Sequence, residues 1–265
     1  MSSVSSQDLL ITTPQGRLFA TRWDPPGDDA SRRAAIVLLH DSLGCVALWR
    51  DFPAELALAT GRCVIAYDRL GFGRSDPHAG KLDRHFVDAE AHGGFRHLRE
   101  ALQLERFVAF GHSVGGGMAV ACAAAHGAHC TALITESAQA FVEDRTIRGI
   151  LAAQQAFQSP GQLERLAKYH GDKAAWVLSA WIDTWLAPDF ADWQLDEDLR
   201  RVSCPALAIH GELDEYGSVR HPERIAALVA GPSHSLILPA CGHVPHREQP
   251  PAVIDAARHW LAAVA

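Results

Sequence analysis

The 265-residue sequence predicts an α/β fold: a mostly parallel sheet flanked by helices, with a helical segment inserted in the second half of the chain. Three observations carry this. Continuous apolar runs of strand length, Ala34–Leu39, Cys63–Tyr67 and the run opening at Arg106, have the composition of strands buried on both faces. Segments with helical spacing of apolar residues separate them, and strands that alternate with helices imply right-handed crossovers and parallel pairing. A glycine-flanked junction, Gly111-His112-Ser113-Val114-Gly115, then joins one such strand to an Ala-rich helix.

Taken in order, Leu9–Thr13 and Arg17–Trp23, joined by Pro14-Gln15-Gly16, read as an antiparallel hairpin. Asp24–Ser31 is a loop of Pro, Gly and Asp. The Ala34–Leu39 strand ends at His40-Asp41-Ser42-Leu43-Gly44. Leu48–Ala59 has helical spacing and stops at Gly61. The Cys63–Tyr67 strand runs into Asp68–Pro77, a loop dense in turn formers. Phe86–Leu104 reads as a helix weakened in its middle by His92-Gly93-Gly94. The helix after the junction extends to about His126, and Thr131–Thr135 is the next strand.

From Ala138 to Leu199 the rhythm changes. No strand-like run occurs, while Leu163, Leu166, Trp176, Trp181, Trp185 and their apolar neighbours recur at helical spacing. The expectation is a helical cap over residues 138–199, inserted into a core domain made of 1–137 and 200–265. Strand Cys204–Ile209, helix Pro222–Val229, strand Ser235–Leu238 and helix Pro251–Ala262 complete the core, for eight strands in all. The last helix opens with proline at a tolerated position.

Bulk composition excludes several function classes. With 31 acidic against 24 basic residues, the net charge of −7 leaves no basic footprint for nucleic acid or an anionic membrane. The polar N-terminus has no signal-peptide core, and the apolar runs are too short to cross a bilayer. The six cysteines form no CxxC pair and fall in or beside apolar segments, as buried reduced thiols do. A cytoplasmic location and a small-molecule substrate are the expectations; self-association into a homo-oligomer is left open.

The chemistry starts at Gly111-x-Ser113-x-Gly115. A strand turning sharply into a helix strains the residue at the turn, and flanking glycines leave room for it. The turn lifts the Ser113 hydroxyl off the sheet end, close to the free N–H groups of a helix N-terminus, which can hold an oxyanion. Ser113 needs a base, and position selects one of the fifteen histidines. His243 lies in the loop after the last strand, at the end of the sheet where parallel α/β folds bind ligands. His246 lacks the preceding glycine and is expected at the rim.

The base needs a buried carboxylate. Asp214, after the strand ending at Ile209, is the candidate; Glu212 and Glu215 are expected as solvated loop acids, and Glu136, ending the preceding strand, is the rival.

Together His40–Gly44, Asp68–Asp76, Gly111–Gly116, His210–Asp214 and Gly242–Pro245 make the chain resemble the α/β-hydrolase superfamily over nearly its whole length. The resemblance implies an eight-stranded α/β-hydrolase fold with a small helical cap, Ser113 as nucleophile, Asp214 as acid and His243 as base. It implies an oxyanion hole from the backbone N–H groups of Ser42 and Val114. Relatives usually carry His-Gly where this chain has His40-Asp41, which puts a side chain beside that hole. Asp41, His112, Trp181 and Trp185 are the candidate substrate contacts, the tryptophans having core packing as their alternative. The Asp68–Asp76 loop is expected to be structural, with Arg74 bracing it.

The resulting expectation is a serine carboxylesterase-like hydrolase. Ser113 attacks an acyl carbonyl while His243 takes its proton, and water then releases the acid from the acyl-enzyme. The mechanism requires no metal or organic cofactor. Serine at the junction argues against relatives that use aspartate, such as haloalkane dehalogenases and epoxide hydrolases. Hydrolysis of a C–C bond in ring-cleavage products is the runner-up. Lactonase, thioesterase, acyltransferase and perhydrolase chemistry stay open, and a hydrolase-fold ligand receptor is the non-enzyme alternative.

Overall fold

The computed structural model describes residues 3–27 and 32–264, so positions 28–31 of the expected Asp24–Ser31 loop lie outside the described residues. Strands β1 (Ser5–Thr13) and β2 (Gly16–Asp24) form the antiparallel hairpin. They are followed by β3 (Ala35–Leu39), β4 (Val64–Tyr67), β5 (Phe107–His112), β6 (Cys130–Glu136), β7 (Ala206–Gly211) and β8 (Ser233–Leu238). They make one eight-stranded sheet in the order β1-β2-β4-β3-β5-β6-β7-β8. β2 pairs antiparallel with β4, and every pairing from β4 through β3, β5, β6 and β7 to β8 is parallel.

Successive residues of the central strands feed two separate cores, because side chains alternate across a pleated sheet. Val37, Leu39, Ile65, Phe107 and Ala109 pack on one face, under α2 (Phe86–His92), α3 (Gly94–Ala101), α4 (Val114–Ala125) and α9 (Arg220–Leu228). Ile36, Leu38, Val64, Val108 and Phe110 pack on the other, under α1 (Phe52–Thr60) and α11 (Pro250–Val264). Burial on both faces is why these strands lack an alternating pattern.

The helix expected over Phe86–Leu104 is instead two. The chain breaks at Gly93 (φ −105°, ψ −107°), and the missing side chain of Gly94 leaves room for the Glu90 carboxylate, which accepts a 2.7 Å bond from Tyr67 Oη. Leu48–Ala59 likewise divides into a 3-10 turn at Val46–Trp49 and α1, separated by Arg50 at φ 54°.

Between β6 and β7 the chain forms α5 (Asp144–Ala156), α6 (Gln162–His170), α7 (Ala174–Trp185) and α8 (Asp196–Arg201). A short α10 (Pro245–Glu248) precedes α11. Among the described residues no helix is long and apolar enough to cross a membrane.

After β3 the chain adds β4 on one side and then returns to add β5 on the other. The loops leaving β3 and β5 therefore diverge at their C-terminal ends, where open α/β sheets bind ligands. Ser42 follows β3 and Ser113 follows β5.

Candidate active site

Ser113 sits between β5 and α4 at φ 56°, ψ −125°, a strained conformation for a residue with a side chain. The two glycines around it are forced by close approach. A Cβ on Gly111 would strike the Gly115 carbonyl, and one on Gly115 would strike the Leu39 and His40 carbonyls. Val114 is the first residue of α4, so its N–H belongs to the unbonded first turn.

His243 approaches from the β8–α10 loop, with Nε2 3.0 Å from Ser113 Oγ. Its Nδ1 lies 2.9 Å from both carboxylate oxygens of Asp214. A carboxylate only accepts, so Nδ1 carries the proton and Nε2 is left to accept from the Ser113 hydroxyl. Asp214 Oδ1 also accepts from the N–H groups of Tyr216 (2.7 Å) and Gly217 (3.1 Å), which fixes the acid in its turn. On the other side of the histidine, Glu248 accepts from Gly242 and Val244, at 2.6 and 3.0 Å.

Burial opposes charge on both members of the pair, yet each stabilises the other's ionised form. The Asp214 carboxylate raises the His243 pKa above the ordinary histidine value, and His243 holds Asp214 down at about 2.

Glu136, the rival acid, is fully buried and serves another histidine. It accepts from His246 Nδ1 at 2.8 Å and closely from the His246 backbone N–H. His246 is thus not a rim residue: it is 5% exposed and packs against Trp49 and Phe52. His112, expected on the substrate, is also elsewhere. It lies behind Ser113 at 2% exposure and donates from Nε2 to the His243 carbonyl. Burial brings its pKa down to about 4, so the ring is neutral.

Arg74 holds its own turn through the main chain, its N–H donating to Asp68 Oδ2 at 2.7 Å, while its side chain points away from the site. That side chain pairs with Asp8 at the surface and lies over the Phe19 ring. It is Arg69 that braces the site, donating from Nη2 to the Asp41 carbonyl at 2.9 Å and from its N–H to His40 Nε2 at 3.2 Å. Asp68 supports the same loop, accepting from Val46 N–H at 2.6 Å.

A cavity of about 220 Å³ opens beside Ser113. Asp41, Ser42 and Leu43 line it from the β3 loop, and Trp181 and Trp185 from α7. Both tryptophans also pack into the core under the sheet, so core and lining roles coincide. Thr146 and Ile150 of α5, Gln139, Glu215 and Tyr216 are lining residues that sequence reasoning missed. Gln139 is 3% exposed, with Oε1 3.5 Å from Ser113 Oγ. Its one sequence signal is its place just past the C-terminal end of β6. Among the described residues the lining holds two carboxylates, Asp41 and Glu215, and no Lys or Arg. No group of three His, Cys, Asp or Glu among the described residues is placed to hold a metal ion.

The profile of the family described as alpha/beta hydrolase fold matches residues 34–171, just over half of the sequence. The chain belongs to this family. Individual relatives of this α/β hydrolase match over shorter stretches. The 1-acylglycerol-3-phosphate O-acyltransferase ABHD5 of Rattus norvegicus is 35% identical over 96 residues, 34% of this chain and 25% of that protein. The 2-hydroxy-6-oxononadienedioate/2-hydroxy-6-oxononatrienedioate hydrolase of Paraburkholderia xenovorans is 36% identical over 102 residues, 37% of this chain and 34% of that protein. These matches thus span about a quarter to a third of each relative. The fold likeness is far wider: the enol-lactonase of Burkholderia xenovorans LB400 superposes over 96% of this chain and 100% of that one, with a TM-score of 0.72 at 20% identity.

Proposed function

We propose that this hydrolase cleaves carboxylic esters of small, apolar acyl or aryl groups through an acyl-enzyme on Ser113. The observation that carries the reading is the unbroken line of hydrogen bonds from Asp214 through His243 to a strained Ser113 beside a free helix N-terminus. Ser113 Oγ attacks the ester carbonyl as its proton passes to His243 Nε2, and Asp214 stabilises the imidazolium. The oxyanion is held by the N–H groups of Val114 and Ser42. His243 then protonates the departing alcohol, and water, activated by the same ring, releases the acid.

Substrate size follows from the cavity. At about 220 Å³ it is smaller than the ~300–1,000 Å³ of drug-sized ligand sites. Ile150, Trp181 and Trp185 offer it apolar surface, while Asp41 and Glu215 repel an anionic acyl group. This lining tells against a dicarboxylate substrate of the kind named for the Paraburkholderia relative, which would need a cation to receive it. The six buried free thiols suit a reducing compartment, and the cytoplasm is the location we propose. Turnover of short p-nitrophenyl esters that disappears in Ser113→Ala tests the reading. Covalent labelling of Ser113 without repeated turnover would favour a ligand receptor instead.

A further inference from the structure

Three arginines stand immediately upstream of three neighbouring strands. Arg62 lies two residues before β4, Arg33 two before β3 and Arg106 directly before β5. β4, β3 and β5 are adjacent and parallel, so their entry points share one edge of the sheet, the one opposite Ser113. The topology therefore brings the three guanidinium groups together. With Arg32 and with Arg258 of α11 they line a cavity of about 590 Å³. Among the described residues no carboxylate lines it.

For Arg62 and Arg33, the hydrogen bonds satisfy donors without balancing charge. Arg62 is 5% exposed and donates from Nη1 to the Ala34 carbonyl at 3.1 Å. Arg33 donates from Nη1 to the Thr60 carbonyl at 3.0 Å. Both partners are main-chain oxygens, which engage one of five N–H donors and neutralise no charge. Arg258 does have a carboxylate, Asp255 at 3.2 Å, but on the exposed side of its own helix. Burial first, and then the facing charges of Arg33 and Arg106, lower the Arg62 pKa. Among the described residues no carboxylate pairs with Arg62, and a buried cation without a counter-charge is costly. In a chain of net charge −7, acids to pair with it are not scarce.

We propose that this cavity binds a small polyphosphorylated molecule. A guanidinium is a planar fork that matches phosphate oxygens two at a time. Several forks converging on one space call for several negative charges close together, which an oligophosphate supplies and a lone carboxylate does not. The volume falls within the ~300–1,000 Å³ usual for ligand sites. Ala59 and Ala262, half-buried and exposed, add apolar surface where a body attached to the phosphates can rest. Inorganic oligophosphate and a nucleoside polyphosphate share this chemistry.

The test is calorimetric titration of the whole protein with inorganic triphosphate and, separately, with adenosine triphosphate. Arg106→Ala and Arg258→Ala are run beside the wild type, with circular dichroism to show that both remain folded. Saturable binding of triphosphate is expected, weakened at least about tenfold in each variant, the size of a lost charge-assisted contact. Binding should also weaken as salt is raised. Tighter binding of the nucleotide would support the site and assign the apolar floor to its nucleoside; equal binding would support it and assign recognition to the phosphates alone. No saturable binding of either probe at millimolar concentration, or affinity unchanged in both folded variants, would overturn the proposal.

Discussion

His112 Nε2 donates to the main-chain oxygen of His243 at 2.8 Å, tying the residue before Ser113 to the residue that faces Ser113. The bond spans 131 positions of sequence and joins the end of β5 to the β8–α10 loop. On the far side of that loop, Glu136 at the end of β6 holds both the ring and the backbone of His246. The loop bearing His243 is thus pinned from two adjacent strand ends, which fixes where its ring stands.

If that pinning sets the geometry of proton transfer, His112→Phe keeps the packing and loses the bond. We expect kcat to fall about tenfold with KM nearly unchanged, because the substrate cavity is untouched while the base is less well placed. Steady-state kinetics on one ester measures both constants.

Glu136→Ala leaves the His246 ring and N–H without a buried acceptor. Breaking one side of a buried charged contact costs about 3–5 kcal/mol, and denaturant unfolding of this variant should show a loss of that order. Glu136→Gln, which keeps an acceptor oxygen, should lose less. Burial raises the Glu136 pKa but His246 outweighs it, leaving it below its ordinary value. Its contribution to stability is therefore present above the ordinary glutamate pKa and fades as the pH drops through the lowered one.

The pH profile follows from the same accounting at His243. The reaction needs the ring neutral, and Asp214 raises its pKa, so the acid limb of kcat/KM should fall at a pH above the ~6.5 of a free histidine. Asp214→Asn should move that limb to lower pH and cut kcat by roughly ten-thousandfold. The stability contributions have opposite signs. That of His243 is complete below about pH 6.5 and is lost as the pH climbs through the raised value; that of Asp214 is complete above about pH 4 and is lost toward pH 2. Rates measured from pH 5 to 9 for both proteins check the limb.

Much of this arrangement can be read from the residues alone. Ala35–Leu39 and Val64–Tyr67 are legible because burial on both faces leaves no polar alternation. Ser113, Asp214 and His243 are legible because each follows a strand at the same end of a parallel sheet. The rest depends on contacts that the order of residues does not carry. His112 looks like a candidate substrate contact by adjacency to Ser113, but the pleat turns it to the back of the sheet, onto the His243 loop. Gln139 and Tyr216 reach the cavity only through the path of two loops. Arg69 and Arg74 stand five residues apart in one motif, and only the turn decides which of them faces the His40–Asp41 loop.

The two cavity tryptophans should separate by cost. Trp181 is half-buried, so Trp181→Ala should lengthen the preferred acyl chain at a stability loss below the ~3–5 kcal/mol of a fully buried tryptophan. Trp185 is 3% exposed, and Trp185→Ala should show the full loss. Relative rates across an acyl-length series, read with thermal unfolding, distinguish the two.

The most direct test of the central claim is steady-state hydrolysis of p-nitrophenyl esters of increasing acyl length, with Ser113→Ala beside the wild type. The account predicts multiple turnover on short acyl chains and its disappearance in a variant that remains folded. Turnover that persists in Ser113→Ala would contradict it.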